Sequence, residues 1–144
     1  MPLLPRKGVL AVAAVIDVAM QEHGQPISAK TLAARHGLPP RHLESVLQAL
    51  VRCGILRGVR GPRGGYELAR DRRRVTANDI LRAAGTVEDS ETMHAGSDLL
   101  VKIVLPAMAS AEYQFGIALD RINLEDMARD AQALSKSGRG TARP

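Results

Sequence analysis

The stretch Arg60-Gly61-Pro62-Arg63-Gly64-Gly65-Tyr66 decides how this chain is read. Two adjacent glycines, a third before a proline and two flanking arginines describe a tight exposed bend with positive charge at its tip. The runs on either side, Ile55 to Val59 and Tyr66 to Ala69, are short and partly apolar, as strands are. Together they predict a β-hairpin whose basic tip is made by Arg60, Arg63 and Gly64. A glycine-rich turn also cradles phosphate where a strand feeds a helix, but neither a Gly-Lys-Ser nor a Gly-x-Gly-x-x-Gly spacing is present, so a nucleotide loop is set aside.

Upstream of the hairpin, Leu43, Val46, Leu47 and Leu50 follow the i, i+3, i+4, i+7 spacing of a buried helical stripe, and Pro40 suits the first helical position, where no N–H is needed. At 100° per residue the opposite face carries Arg41, Ser45, Gln48 and Arg52, with Glu44 on its shoulder. Arg, Gln and Glu are the side chains that read guanine, adenine and cytosine edges in the major groove. Cys53, next to the turn at Gly54, lies close to the apolar stripe and reads as a small packed residue; a thiol switch is the other reading. Before this helix comes a short one: Ser28 caps it, Ile27 and Leu32 stand at the positions of a hydrophobic staple, and His36-Gly37 ends it. Two short helices joined by a tight turn make a helix-turn-helix.

The N-terminus imitates a secretory signal, with Arg6 and Lys7 ahead of an apolar run from Val9 to Met20. Asp17 interrupts that run, no small-x-small site closes it, and it is too short to span a bilayer. It reads as a buried helix between other elements or subunits.

Charge is divided along the chain. The formal net charge is +5, and residues 1–74 hold 13 Lys or Arg against 5 Asp or Glu, while residues 75–144 hold 7 against 10. A basic N-terminal half points to a polyanionic partner, double-stranded DNA given the helix-turn-helix. One cysteine in 144 residues excludes an internal disulfide and suits a reducing cytoplasm. There is no paired carboxylate, activated nucleophile or phosphate loop in a plausible setting, so an enzyme is not expected.

In the second half, Leu100, Ile103, Val104, Ala107, Met108, Ala111, Phe115, Ala118, Leu119 and Ile122 keep helical spacing over about six turns. A small domain has no use for a stripe that long, and a second copy is the simplest partner to bury it. Pro106 lies off the stripe and predicts a kink or break. Asn123 caps a last helix from Leu124 to about Leu134, and residues 135–144 read as a disordered basic tail.

The order helix, short helix, turn, polar-faced helix, basic hairpin describes a winged helix-turn-helix, and the residues carry a closer likeness. Leu43-Glu44, Gly54-Ile55-Leu56, Val59-Arg60-Gly61-Pro62, Gly64-Gly65-Tyr66 and Leu68-Ala69 resemble the Rrf-two family of bacterial transcriptional regulators. Val75 to Gly85 is similar to the family's helix after the wing, and Leu119 to Asp126 to its signature near the C-terminus. The likeness spans roughly residues 6–134. It implies a homodimer on a palindromic operator, with DNA contacts from Pro40, Arg41, Glu44 and Ser45 in the helix and from Arg60 and Arg63 in the wing. Many members hold an iron-sulfur cluster on three cysteines between the post-wing helix and the long dimerisation helix. Here that stretch, Thr86 to Gly96, has no cysteine, so no cofactor is expected. Glu88, Asp89, Glu91 and His94 offer an atypical metal site against the plainer reading of a solvated acidic loop, and no metal is assigned.

The expected architecture is mostly α with a small β-hairpin wing: a winged helix-turn-helix domain over residues 1–85, an acidic loop over 86–97, dimerisation helices over 98–134 and the tail. The expected function is a DNA-binding regulator, a homodimeric repressor at the bacterial nucleoid, with no membrane role and an effector the sequence does not name. A winged helix used only to bind proteins is the alternative.

Overall fold

The computed structural model of the chain describes residues 5–21, 24–86 and 97–141. Helix α1 (Arg6–Ala19) runs through the middle of the N-terminal domain, packed against α4 (Ala77–Ala84), α6 (Leu124–Thr141), the hairpin and α3 (Pro40–Arg52). This is why its sequence is apolar nearly all round. Asp17, the one acid in the run, accepts a 2.6 Å hydrogen bond from His36 Nε2 and lies 3.6 Å from Arg35, so it ties α1 to the end of α2 (Ala29–Arg35).

Ser28 caps α2 by accepting from the Thr31 N–H at 3.1 Å, and Pro40 stands in the first turn of α3. The stripe Leu43, Val46, Leu47 and Leu50 is wholly buried with Ala11, Ala14 and Val15 of α1, Leu32 of α2, Ile55 and Leu56 of the hairpin base and Ile80 of α4. Each leucine-sized side chain so placed contributes about 1.5 to 3 kcal/mol. No aromatic residue is among them; Tyr66 packs on the outside of this core.

Strands β1 (Leu56–Val59) and β2 (Gly65–Leu68) pair antiparallel, with Leu56 opposite Leu68 and Val59 opposite Gly65. Ile27 adds an isolated bridge on the far side of β2: its N–H donates to Tyr66 O at 3.0 Å, and the Tyr66 N–H donates back at 2.8 Å. Ile27 is therefore buried as a sheet partner as well as a staple candidate. Gly65 makes that bridge possible, because a Cβ there would drive into the Ile27 carbonyl and come within 2.7 Å of Ser28 N.

Thr76 and Asp79 form a reciprocal capping box that starts α4 after a 3₁₀ turn at Arg72–Arg74. At the C-terminal side, a π-helical segment Leu100–Val104 leads directly into α5 (Leu105–Asp120). Pro106 removes one donor from the helical ladder, and the wider turns just before it take up the mismatch, so the expected break is a change of helical winding. Asn123 Oδ1 accepts from the Glu125 N–H at 2.7 Å and caps α6, while its Nδ2 donates to Arg73 O at 2.8 Å.

Three sequence expectations need correction. The tail expected to be disordered from Ser135 is helical as far as Thr141, because extending a formed helix adds a hydrogen bond for each residue ordered. Cys53 is exposed. It is the residue at which α3 ends, and after the turn at Gly54 the next core position is taken by Ile55. Leu119, expected at the exposed seam, is buried within the chain, whereas Ile122, just past the end of α5, is 43% exposed while its carbonyl accepts from the Ala77 N–H at 2.8 Å. The segment holding Glu88, Asp89, Glu91 and His94 lies outside the described residues.

Candidate nucleic-acid interface

Helix α3 is polar on one side and apolar on the other because its buried stripe fixes its rotation. With Leu43, Val46, Leu47 and Leu50 facing α1, the residues Pro40, Arg41, Glu44, Ser45, Gln48 and Arg52 are all exposed. Arg41, Gln48 and Arg52 make no hydrogen bond or ion pair to any described residue. Glu44 has a neighbour: its carboxylate, after the larger effect of burial, helps to raise the Tyr66 phenol above its ordinary pKa of 10.0. The wing therefore lies beside the first turns of α3.

At the tip of the wing, the Gly64 N–H donates to Gly61 O at 2.9 Å and closes the turn. Gly64 is required by close approach, since a Cβ on it would meet the Val59 carbonyl and lie 2.9 Å from the Arg60 carbonyl carbon. Its part is to shape the tip. Arg60 and Arg63 project from that tip, exposed and free of any described partner. Further down the hairpin Arg57 is engaged, with Nη2 and Nε each 2.8 Å from Glu67 Oε1 across the ladder. Across a groove of ≈ 660 Å³, Pro62 and Arg63 face Ser28, the cap of α2, and Thr31 and Arg35 within it.

A residue that sequence reasoning missed holds these parts in place. Arg70, just past β2, donates from Nε to Gly54 O and from Nη2 to Cys53 O, both at 3.1 Å, and Nη1 lies 3.8 Å from Asp79. One guanidinium thus joins the end of α3, the base of the hairpin and the start of α4. Its only sequence signal is an arginine directly after a strand, which is no different from a solvated one.

The exposed parts of α5 and of the turns that lead into it are of another kind. Ile103 is 62% and Met108 59% exposed, and Leu99, Val101, Leu105 and Phe115 are also on the surface. Of the seam residues read from the sequence, Ile103, Val104, Met108, Ala111, Phe115 and Ile122 are open, Leu100 is half-buried and Leu119 is buried.

Residues 4–130 match the family profile described as Rrf2, iron-dependent transcriptional regulator. The chain belongs to the Rrf2 family. An HTH-type transcriptional regulator of Synechocystis is 31% identical over 132 residues, covering 90% of each chain. The HTH-type transcriptional regulator IscR of Photobacterium profundum is 28% identical over 94% of this chain and 81% of its own length. Among solved structures, IscR of T. potens superposes with a TM-score of 0.67 at 31% identity, covering 89% of this chain and 87% of that one. CymR, the global cysteine regulator of B. subtilis, does so with a TM-score of 0.64 at 25% identity, covering 90% and 98%. This Rrf2 protein is thus a winged-helix, DNA-binding transcriptional regulator and not an enzyme. No described helix is long and apolar enough to cross a membrane.

The iron in the family's description does not fit the donors of this chain in its usual form. A thiolate-bound cluster needs several cysteines, and the sole one, Cys53, stands at the end of α3 beside the hairpin base. Among the described residues no group of three His, Cys, Asp or Glu is placed to hold a metal ion.

Proposed function

We propose that this Rrf2-family chain acts as a homodimeric repressor that binds a palindromic operator without a cysteine-held iron-sulfur cluster. The observation that carries the reading is the pair of unpaired basic surfaces, Arg41 on α3 and Arg60 with Arg63 on the wing tip, held side by side on one scaffold. Arginines that fold stability uses are engaged, as Arg57, Arg70 and Arg72 are; these three are left for a partner. In this reading α3 enters the major groove, where Arg41, Glu44, Ser45 and Gln48 meet base edges and Pro40 starts the helix at the groove floor. Arg60 and Arg63 reach backbone phosphates or the narrow minor groove, and Arg52 lies at the far end of α3 near the flanking backbone.

The exposed apolar side chains of the π-helical segment and α5 support the dimer. A stripe with Ile103, Val104, Met108, Ala111 and Phe115 open to water is far larger than a monomer leaves uncovered, and an antiparallel or crossed pairing with its own copy buries it. A two-fold dimer presents two α3 helices, which is what a palindrome matches. The site of action is then the cytoplasm, at the nucleoid.

Selection of bound sequences from a random DNA pool, followed by mobility shifts on the selected site and on a scrambled one, tests this reading. A palindromic consensus with salt-dependent binding is expected. Enrichment of no sequence, with retention on heparin lost as well, would move a protein-binding winged helix ahead of it.

A further inference from the structure

A groove of ≈ 700 Å³ lies between the N-terminal turn of α1, helix α4 and the second half of α5, away from the DNA-reading face. Its floor is apolar, formed by Leu81, Ala84, Phe115 and Leu119. Its polar lining is mostly engaged within the fold. Asn78 donates to Asp120 at 3.0 Å, Thr86 donates to Ala83 O at 2.7 Å, and Lys7 has a partner of its own. Two charged side chains are the exception. Arg82 of α4 and Glu112 of α5 both line the groove, are of opposite sign, and make no hydrogen bond or ion pair with each other or with any other described residue.

Two opposite charges held on separate helices around one apolar-floored groove match a molecule that carries both charges itself. We propose that this groove is an effector site for a small apolar α-amino acid, with its carboxylate on Arg82, its ammonium on Glu112 and its side chain on Leu81, Phe115 and Leu119. Arg82 suits a carboxylate because the guanidinium presents a planar pair of donors. The volume falls in the range of small-molecule sites.

The location gives the site a consequence, which rests on the DNA-binding reading above. Helices α1 and α4 belong to the winged-helix domain and α5 projects from it, so a ligand that bridges Arg82 and Glu112 fixes the angle between the DNA-reading domain and the proposed dimer helix.

Calorimetry on the full chain without DNA tests the site separately from operator binding. The probes are L-leucine, L-methionine and L-phenylalanine, with 4-methylpentanoate and 3-methylbutylamine as analogues of leucine that each keep one charge. At least one amino acid is expected to bind, and each analogue to bind about tenfold more weakly or worse than leucine if leucine is the ligand. Arg82→Gln and Glu112→Gln change exposed side chains with no role in the fold, and circular dichroism checks that both remain folded. Each variant is expected to lose about tenfold in affinity for the amino acid, with Glu112→Gln leaving any residual 4-methylpentanoate binding unchanged. The proposal is overturned if none of the three amino acids binds, if analogue and amino acid bind alike, or if both variants bind as the native chain does. Variants that shift the monomer–dimer equilibrium while no amino acid binds assign the groove to a second copy and also overturn it.

Discussion

Replacing Gly65 with alanine should unfasten the wing from the rest of the DNA-reading domain, while the same replacement at Gly58, which faces Tyr66 across the hairpin, should not. A Cβ on Gly65 runs into the Ile27 carbonyl and to within 2.7 Å of Ser28 N, and these are backbone atoms that cannot swing aside. Ile27 must therefore separate from β2, which breaks the reciprocal hydrogen bonds of 3.0 and 2.8 Å between Ile27 and Tyr66. Two backbone bonds at about 1 kcal/mol each, with about 1 to 3 kcal/mol of residual strain, give a loss of about 3 to 5 kcal/mol, on the order of 10 °C in Tm for a chain of this length. A Cβ on Gly58 meets nothing within 4 Å, and Gly58→Ala should change stability by about 1 kcal/mol or less. Thermal unfolding by circular dichroism gives the two Tm values. Hydrogen exchange at the Ile27 and Tyr66 amides locates the damage, and a mobility shift below both transitions reads the loss of Arg60 and Arg63 from the DNA. Equal Tm values for the two variants, or unchanged exchange at Ile27 and Tyr66, would show that the wing is not held by this bridge.

Four further outcomes are expected. Arg63→Ala should weaken operator and scrambled DNA alike and make the slope of log affinity against log salt shallower by about 0.9 per contact per subunit, measured by titration at several salt concentrations. Arg41→Ala should cost about 1 to 3 kcal/mol on the operator and little on scrambled DNA, and equal losses on both would remove α3 from base reading. Light scattering should find a particle of twice the 15.4 kDa chain mass, and Met108→Asp, at a position 59% exposed in the protomer, should yield a folded monomer; a native monomer at micromolar concentration refutes the α5 seam. The contribution of Tyr66 to stability should be level in pH up to about 10 and then fall, because the folded Tyr66 phenol resists ionisation while the unfolded one ionises at its ordinary pKa of 10.0. Tyr66→Phe should lessen that alkaline fall, and tyrosinate absorbance on the folded protein should show one phenol titrating above the ordinary value.

The fold was legible from the chain because its signals are local. Helix α3 needed only the spacing of Leu43, Val46, Leu47 and Leu50, its start needed only Pro40, and the hairpin needed only the glycines around Arg63. The exposed base-reading candidates followed from the same spacing, since burying one side of a helix determines which residues its other side shows. Reading by spacing failed where a helix ended. Closeness to the stripe of α3 suggests a packed Cys53, whereas Cys53 ends that helix at the turn before Gly54 and is exposed; helical spacing likewise puts Leu119 on the open seam, whereas it is buried within the chain at the end of α5.

The sequence by itself determined the local elements, the polarity of each helix face and the basic character of the wing, all of which depend on residues within a turn or two of one another. Only the tertiary structure decided what those elements hold. Asp17 is an interruption in the sequence and an anchor for His36 in the fold; Ile27 is a staple residue in the sequence and also the bridge partner of Tyr66 in the fold. Arg70 joins α3, the hairpin and α4, and Arg82 and Glu112 share one groove from positions thirty residues apart. Such pairings join residues far apart in the chain, and no local propensity records them, because they come into being only when packing of the buried leucines brings the helices together.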